Sequence, residues 1–177
     1  MMRLLPPRGL APASIAAVLL LTSCASPPAQ QAAQPAQPDP LRMVATVRAA
    51  AGSGEGELAV QPLRDPMVED LRQQAAELEK AGRYAESAAA LDQALTITPD
   101  DPAVLQERAE AALLLKDFAG AEQRARRAFE IGSRVGPLCR RHWAVVRAVR
   151  YAANDGAGAA QATQQMDACK VAAPERF

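Results

Sequence analysis

The sequence predicts an all-α protein: a short α-solenoid of about three helix hairpins that follows a disordered N-terminal tether. Apolar residues recur at helical spacing from Asp65 onward, and many positions repeat when the sequence is shifted by 34 residues. Hydrophobic residues make up 49% of the chain but aromatic residues only 3%, since much of the apolar content is alanine. Alanine favours closely packed helices, so composition and periodicity indicate the same fold class.

The first 23 residues have the features of a signal peptide. Arg3 and Arg8 precede a short apolar segment, which is densest over residues 15–21. This segment is too short to span a bilayer, which takes about 20 residues, and it is typical of a secretory signal. We therefore expect residues 1–23 to be removed from the mature protein.

Cys24 directly follows Leu21, Thr22 and Ser23, and these four residues resemble the lipobox of bacterial lipoproteins. The resemblance implies a diacylglyceryl group on the Cys24 sulfur and an acyl chain, such as palmitate, on the new amino terminus. Several acyl chains on one residue anchor a protein stably, whereas one chain anchors it only marginally. Ala25 stands where inner-membrane lipoproteins often have Asp, so the resemblance places the chain at the outer membrane, facing the periplasm. An ordinary signal peptide with a chance cysteine is the alternative.

Residues 24–64 are predicted to be the lipid anchor and a linker rich in Pro, Gln and Ala. Residues 25–40 carry no charge before Asp39 and contain too little apolar surface to fold on their own. Residues 43–47 and 57–60 have weak β character on either side of the segment AGSGEG. Because two strands alone are only marginally stable in water, both a short hairpin and a disordered continuation remain open here.

The helical domain is predicted to cover residues 65–172, with residues 173–177 as a tail. The pairs Asp65-Pro66 and Asp101-Pro102 are helix start signals, because Asp caps a helix and Pro suits its first turn. The 34-residue shift aligns Leu71 with Leu105, Ala75 with Ala109, Tyr84 with Phe118, Ala94 with Ala128, Leu95 with Phe129 and Ile97 with Ile131.

This period resembles that of the tetratricopeptide repeat (TPR), a pair of antiparallel helices that stacks on the next pair. The segments Gly82-Arg83-Tyr84 and Lys116-Asp117-Phe118 match the turn between the two helices and the aromatic residue after it. The resemblance implies three repeats, which cover about residues 68–101, 102–135 and, in degenerate form, 138–171.

Two cysteines, Cys139 and Cys169, remain once Cys24 carries lipid. An oxidising periplasm favours a disulfide between paired thiols. In the third repeat Cys139 lies near the start of the first helix and Cys169 near the end of the second, and these ends are neighbours in an antiparallel hairpin. We therefore predict a Cys139–Cys169 disulfide, with two unpaired buried cysteines as the alternative.

The sequence predicts neither an enzyme nor a metal or cofactor site. His142 is the single histidine, and Cys139-x-x-His142 supplies two ligands where a closed zinc site needs four. No nucleophile elbow accompanies His142, and the glycines of AGSGEG lack the lysine of a phosphate-binding loop. The formal net charge is +0, so a general attraction to nucleic acid is not expected.

Charge is distributed unevenly along the helical domain. Residues 65–117 carry twelve acidic and five basic side chains, whereas residues 118–151 carry two acidic and eight basic ones. Arg124, Arg126 and Arg127 form a basic face on one predicted helix. This face is either a solvated surface or a docking surface for an acidic partner.

The TPR resemblance implies that the first helix of each pair lines a concave groove, which suits a peptide or one helix of a partner. The Lys/Asn pattern of repeats that clamp a C-terminal carboxylate is absent from these helices. The predicted groove consists of Glu69, Arg72, Gln73, Glu79, Gln106, Glu107, Glu110, Leu113, Arg141 and Tyr151.

The lipobox, the Pro/Gln spacer and the segment PLRDP before few repeats resemble small TPR lipoproteins that activate bifunctional penicillin-binding proteins. The resemblance implies a non-catalytic protein that activates or scaffolds peptidoglycan synthesis by protein–protein interaction, with a penicillin-binding protein as its partner. Two alternatives remain open at this point. One is an assembly factor for a pilus, secretion or outer-membrane complex, and the other is a structural protein that binds peptidoglycan directly.

Overall fold

The computed structural model describes residues 38–52 and 63–170, and within these ranges the chain forms α-helices and no strand. The all-α prediction is therefore confirmed. The helices are α1 (Pro40–Ala49), α2 (Pro66–Lys80), α3 (Tyr84–Ile97), α4 (Pro102–Leu114), α5 (Phe118–Ile131), α6 (Gly136–Ala152) and α7 (Gly156–Ala168).

Helices α2 to α7 form three antiparallel hairpins, which pair α2 with α3, α4 with α5, and α6 with α7. The hairpins stack in chain order, because α3 packs on α4 and α5 packs on α6. This arrangement is the predicted short solenoid. Within the described ranges no helix is long and apolar enough to cross a membrane.

Each hairpin turns at a residue with left-handed backbone conformation, namely Gly82, Lys116 and Asn154, whose φ angles are 74°, 60° and 57°. In each turn the amide of the next residue donates to the carbonyl oxygen five residues earlier, as Arg83 does to Leu78. The first two of these residues are 34 positions apart and the last two are 38 apart. The extra four residues add about one helical turn, which is why the third repeat fits the sequence period poorly.

Three helices begin with the same Asp-Pro pair. Asp39, Asp65 and Asp101 each accept a hydrogen bond from a backbone amide in the first turn, and proline follows each of them. The carboxylate of Asp101 accepts from two amides, those of Ala103 at 2.8 Å and Val104 at 3.2 Å. Side-chain oxygens thus satisfy amides that would otherwise lack a partner at these helix ends.

Helix α4 lies at the centre of the stack, since every residue over 104–114 except Glu107 is buried. One hydrophobic cluster joins α4 to the first hairpin through residues such as Val68 and Leu91. A second cluster joins α4 to α1 and to the later helices, through residues such as Val47 and Val145. Many core residues are alanines, in agreement with the composition.

Helix α1 corrects the expectation for residues 43–47, for which the sequence left a strand or a disordered segment open. The side chains of Met43, Val44 and Val47 are buried, and their spacing places them on one face of a helix. The other expected strand, at 57–60, lies outside the described residues, as do the signal peptide and Cys24.

Candidate functional site

Helix α1 packs on α4 and α6, which are the first helices of the second and third hairpins. These helices were expected to line the concave groove, so helix α1 of the same chain fills part of it. Gln106, Glu110 and Leu113 each have 0% exposed surface, and they therefore do not line an open groove as predicted. The sequence prediction was wrong at these three residues, because it included neither α1 nor the contacts of α4 with α6.

A network of polar side chains lies where α1, α4 and α6 meet. Glu110 accepts hydrogen bonds from Arg48 Nε and from Gln106 Nε2, each at 2.8 Å, and from Arg141 Nε at 3.0 Å. A buried carboxylate is costly unless it is paired and hydrogen-bonded. Glu110 meets this requirement through two guanidinium groups and an amide, and it joins the three helices.

The single histidine belongs to the same network. Gln106 Nε2 already donates to Glu110, so Gln106 Oε1 accepts from Nδ1–H of His142, at 2.7 Å. Burial, and then the charge of Arg141, lower the pKa of His142 to about 3. His142 is therefore a neutral core residue at neutral pH. In the described part of the chain no group of three His, Cys, Asp or Glu residues is placed to hold a metal.

The part of the groove that α1 leaves open is a depression of about 520 Å³, which we call the open groove. Arg48 of α1 lies at its edge. The remaining lining residues come mainly from α2, α3 and α4, and six of them were predicted from the sequence: Glu69, Arg72, Gln73, Glu79, Glu107 and Arg141.

Ion pairs cross the open groove. Arg72 lies between Glu69, whose Oε2 is 2.6 Å from Nη1, and Glu107, whose Oε2 is 2.9 Å from Nε. Arg48 makes a bidentate pair with Glu79, at 2.8 and 2.9 Å. Hydrogen bonds to Glu107 and to Glu79 raise the pKa of Arg72 and of Arg48, respectively, against the effect of burial. The open groove thus presents fixed charges of both signs at its surface.

A second depression of about 650 Å³ shares Arg72, Glu107 and Arg141 with the open groove. Its other lining residues include Leu63, which is fully exposed, and Leu138. Because the two depressions share these three side chains, they form one continuous surface with both charged and apolar parts.

Tyr151, the last predicted groove residue, lies at the end of α6, is 61% exposed and lines neither depression. It is therefore not brought together with the other groove residues.

The predicted basic face on α5 is paired with acidic groups of the same chain. Arg126 bonds Glu122 and lies over the ring of Trp143, whose centroid is 5.5 Å away. Arg124 faces Asp117 at 3.7 Å, and Arg127 bonds Asp100 at 2.8 Å. These acids partly neutralise the basic face.

Arg48 is the charged lining residue of the open groove that the sequence interpretation missed. The signal for it was present, because Asp39-Pro40 repeats the start pair of α2 and α4 and is followed by apolar residues at helical spacing. The proline-rich composition just before this pair led to its assignment as linker.

The structure contains the predicted disulfide between Cys139 and Cys169, with a Cα–Cα distance of 5.7 Å. It joins the start of α6 to the end of α7, and both cysteines are buried. The amide of Gly136 also donates to the carbonyl oxygen of Cys169 at 2.7 Å. The two ends of the third hairpin are therefore held together covalently and by a hydrogen bond.

The fold defines a helical-repeat domain with a charged concave surface that helix α1 of the same chain partly fills. Among solved structures, the chain is similar to the globular C-terminal domain of P. aeruginosa LpoP, with 31% sequence identity and a TM-score of 0.56. The match covers 59% of this chain and 99% of that domain, so the chain belongs to the same family as the LpoP domain. No protein-family model and no curated protein matches the chain.

Proposed function

We propose that this chain is a non-catalytic, lipid-anchored protein that activates a bifunctional penicillin-binding protein by direct contact. The observation that carries the proposal is the likeness to the LpoP domain, because it covers 99% of that domain at 31% identity. The sequence resemblance to small lipoproteins that activate penicillin-binding proteins supports the same function.

The open groove is the proposed contact surface. It is concave and large enough for part of a peptide or helix, the ligands that helical repeats commonly take. Its ion pairs lie at the surface, so a partner with charged side chains can exchange with them. Such complementarity favours specific and rapid association more than it favours affinity.

Attachment through Cys24 to the outer membrane is part of the proposal. The spacer at 25–40 would then hold the domain away from the membrane, by roughly 50 Å if it is extended at about 3.1 Å per residue. The partner is therefore expected within the periplasm, within reach of this tether.

A matched pair of variants tests the function. Gln73 on α2 lines the open groove, whereas Gln93 on α3 is also exposed and lies outside both depressions. The full chain in detergent micelles is added to a bifunctional penicillin-binding protein of the same bacterium, and glycan polymerisation and cross-linking are measured.

We expect the wild-type chain and Gln93→Trp to raise both rates, and Gln73→Trp to lose most of this effect because the indole fills the groove. Absence of stimulation by the wild-type chain would refute the proposed activity. Equal stimulation by both variants would place the contact surface elsewhere on the domain.

A further inference from the structure

We propose that α1 is a displaceable strap: it fills part of the concave groove in the free chain, and a basic amphipathic helix of the partner replaces it in the complex. The inference rests on the proposed function for the identity of the partner. The displacement itself can be tested without that partner.

The chemistry of α1 indicates which helix fits the groove. Met43, Val44 and Val47 form its buried face, and the helix carries two arginines and no acidic residue. Its seat on α4 and α6 combines apolar side chains of the second cluster with the carboxylate of Glu110. An apolar face flanked by arginine is therefore what this groove recognises.

The repeat stack is continuous without α1. The three hairpins contact one another through α3 with α4 and α5 with α6, whereas α1 packs on α4 and α6 and adds one ion pair to α2, between Arg48 and Glu79. The strap has 10 residues and three buried side chains, and isolated helices of this length are marginal in water. Its helical state therefore depends on a small number of contacts with the groove.

The polar groups under the strap keep partners when it leaves. Glu110 retains its bonds from Arg141 and Gln106, and Gln106 retains its bond from His142. Arg48 and Glu79 lose each other as partners, but their side chains are already 46% and 24% exposed and can be hydrated once separated. An unpaired buried charge is the main cost of opening a polar interface. Displacement of the strap leaves no buried charge in that state.

The connection to the domain favours the closed state without making it permanent. Sixteen residues, 50–65, separate α1 from α2, and Arg140 donates to the carbonyl oxygens of Ala50 and Ala51 at the end of the strap. A short connection gives an effective concentration in the millimolar range. A free helix can bind only while the groove is open, so its apparent affinity is reduced in proportion to the open fraction. Weakening the strap should raise the open fraction and so restore the affinity.

The test uses a fluorescent synthetic peptide of residues 38–52 as the probe and the full chain in detergent micelles. Val44→Ser/Val47→Ser weakens the buried face of the strap. Ala45→Ser/Ala49→Ser makes the same kind of change on its exposed face and serves as the control. We expect the first variant to bind the peptide at least about tenfold more tightly than the wild type and the control. A peptide that carries the two buried serines should not bind.

Hydrogen exchange of the wild-type chain gives a second readout that needs no variant. The amides of residues 43–49 should exchange at least about tenfold faster than those of residues 105–114 in α4, because the strap opens locally. Exchange of both segments at one rate would make α1 a permanent part of the core and overturn the proposal. A wild-type dimer in sedimentation would also overturn it, since α1 of a second copy would then be the occupant.

The assay with the penicillin-binding protein separates the two proposals. If the wild-type chain stimulates synthesis, Val44→Ser/Val47→Ser should reach half of the maximal effect at about a tenfold lower concentration. Stimulation without this shift would overturn the strap and leave the proposed function standing. Tight peptide binding without stimulation would support the strap and refute the activity.

Discussion

Arg48 and Glu110 are 62 positions apart in the sequence, yet Nε of Arg48 lies 2.8 Å from Oε2 of Glu110. Glu110 has no exposed surface and also accepts hydrogen bonds from Arg141 and Gln106. One carboxylate therefore holds α1, α4 and α6 together at the floor of the concave groove. Glu110, which the repeat pattern assigned to partner binding, therefore stabilises the packing of three helices in the free chain.

Replacing Glu110 with Gln should lower the free energy of unfolding by about 2 kcal/mol, because two guanidinium groups lose their shared buried acceptor. Glu107→Gln is the matched control, since its side chain is 26% exposed and pairs only with Arg72 among the described residues. We expect the control to cost less than about 1 kcal/mol. Urea unfolding followed by circular dichroism measures both, and equal losses would contradict the structural role of Glu110.

Replacing Cys139 and Cys169 with alanine should lower the free energy of unfolding by about 3 to 4 kcal/mol in the chain-entropy model, because the bond closes a loop with a sequence separation of 30. Reductant should destabilise the wild-type chain by a similar amount and leave the double variant unchanged. Unaltered gel mobility of the wild type on reduction, together with free thiols by alkylation, would show that the bond does not form.

His142 should make the protein less stable in acid. Its pKa is about 3 in the folded chain against 6.5 for an unperturbed histidine, so below about pH 6.5 the unfolded chain binds a proton that the folded chain does not. Between these two values the free energy of unfolding falls as the pH falls, by up to about 1.4 kcal/mol per pH unit.

The variant His142→Gln isolates this effect, since the chain has no other histidine and an amide can still donate to Gln106. Urea unfolding of both proteins at several pH values between 4.5 and 7.5 measures it. The wild type should lose stability relative to the variant below pH 6.5, and the difference should be constant above it. Parallel pH curves would mean that the pKa of His142 is the same in the folded and the unfolded chain, and would contradict its burial as a neutral group.

At the left-handed residues of the hairpin turns, replacing glycine should lower the free energy of unfolding, and introducing glycine should raise it. A Cβ atom at Gly82 would meet nothing within 4 Å, so Gly82→Ala tests the left-handed backbone alone and should cost about 1 kcal/mol. Lys116→Gly should stabilise the second hairpin by about 0.5 kcal/mol, because glycine adopts this conformation without strain. Urea midpoints measure both, and changes of the same sign would contradict this account.

Local signals predicted most of the fold. The 34-residue period, the Asp-Pro starts and the turns near Gly82 and Lys116 depend on residues close in sequence, and the structure places helices and turns where these signals lie. The open groove was also largely predictable, because repeat geometry places the first helices on one side. The strap also has a local start signal, which was overlooked, but its burial could not be predicted, because burial depends on α4 and α6, which follow it by more than 50 residues.

By itself, the sequence determined the all-α class, the three hairpins and the pairing of Cys139 with Cys169. The physical reason is that helix periodicity, capping and turn conformation act over a few residues, and the ends of a hairpin follow from its two arms. Only the tertiary structure decided which groove residues stay open and which are buried against α1 and α6. That outcome depends on contacts such as Arg48 with Glu110, in which a helix outside the repeats completes the surface of helices far along the chain.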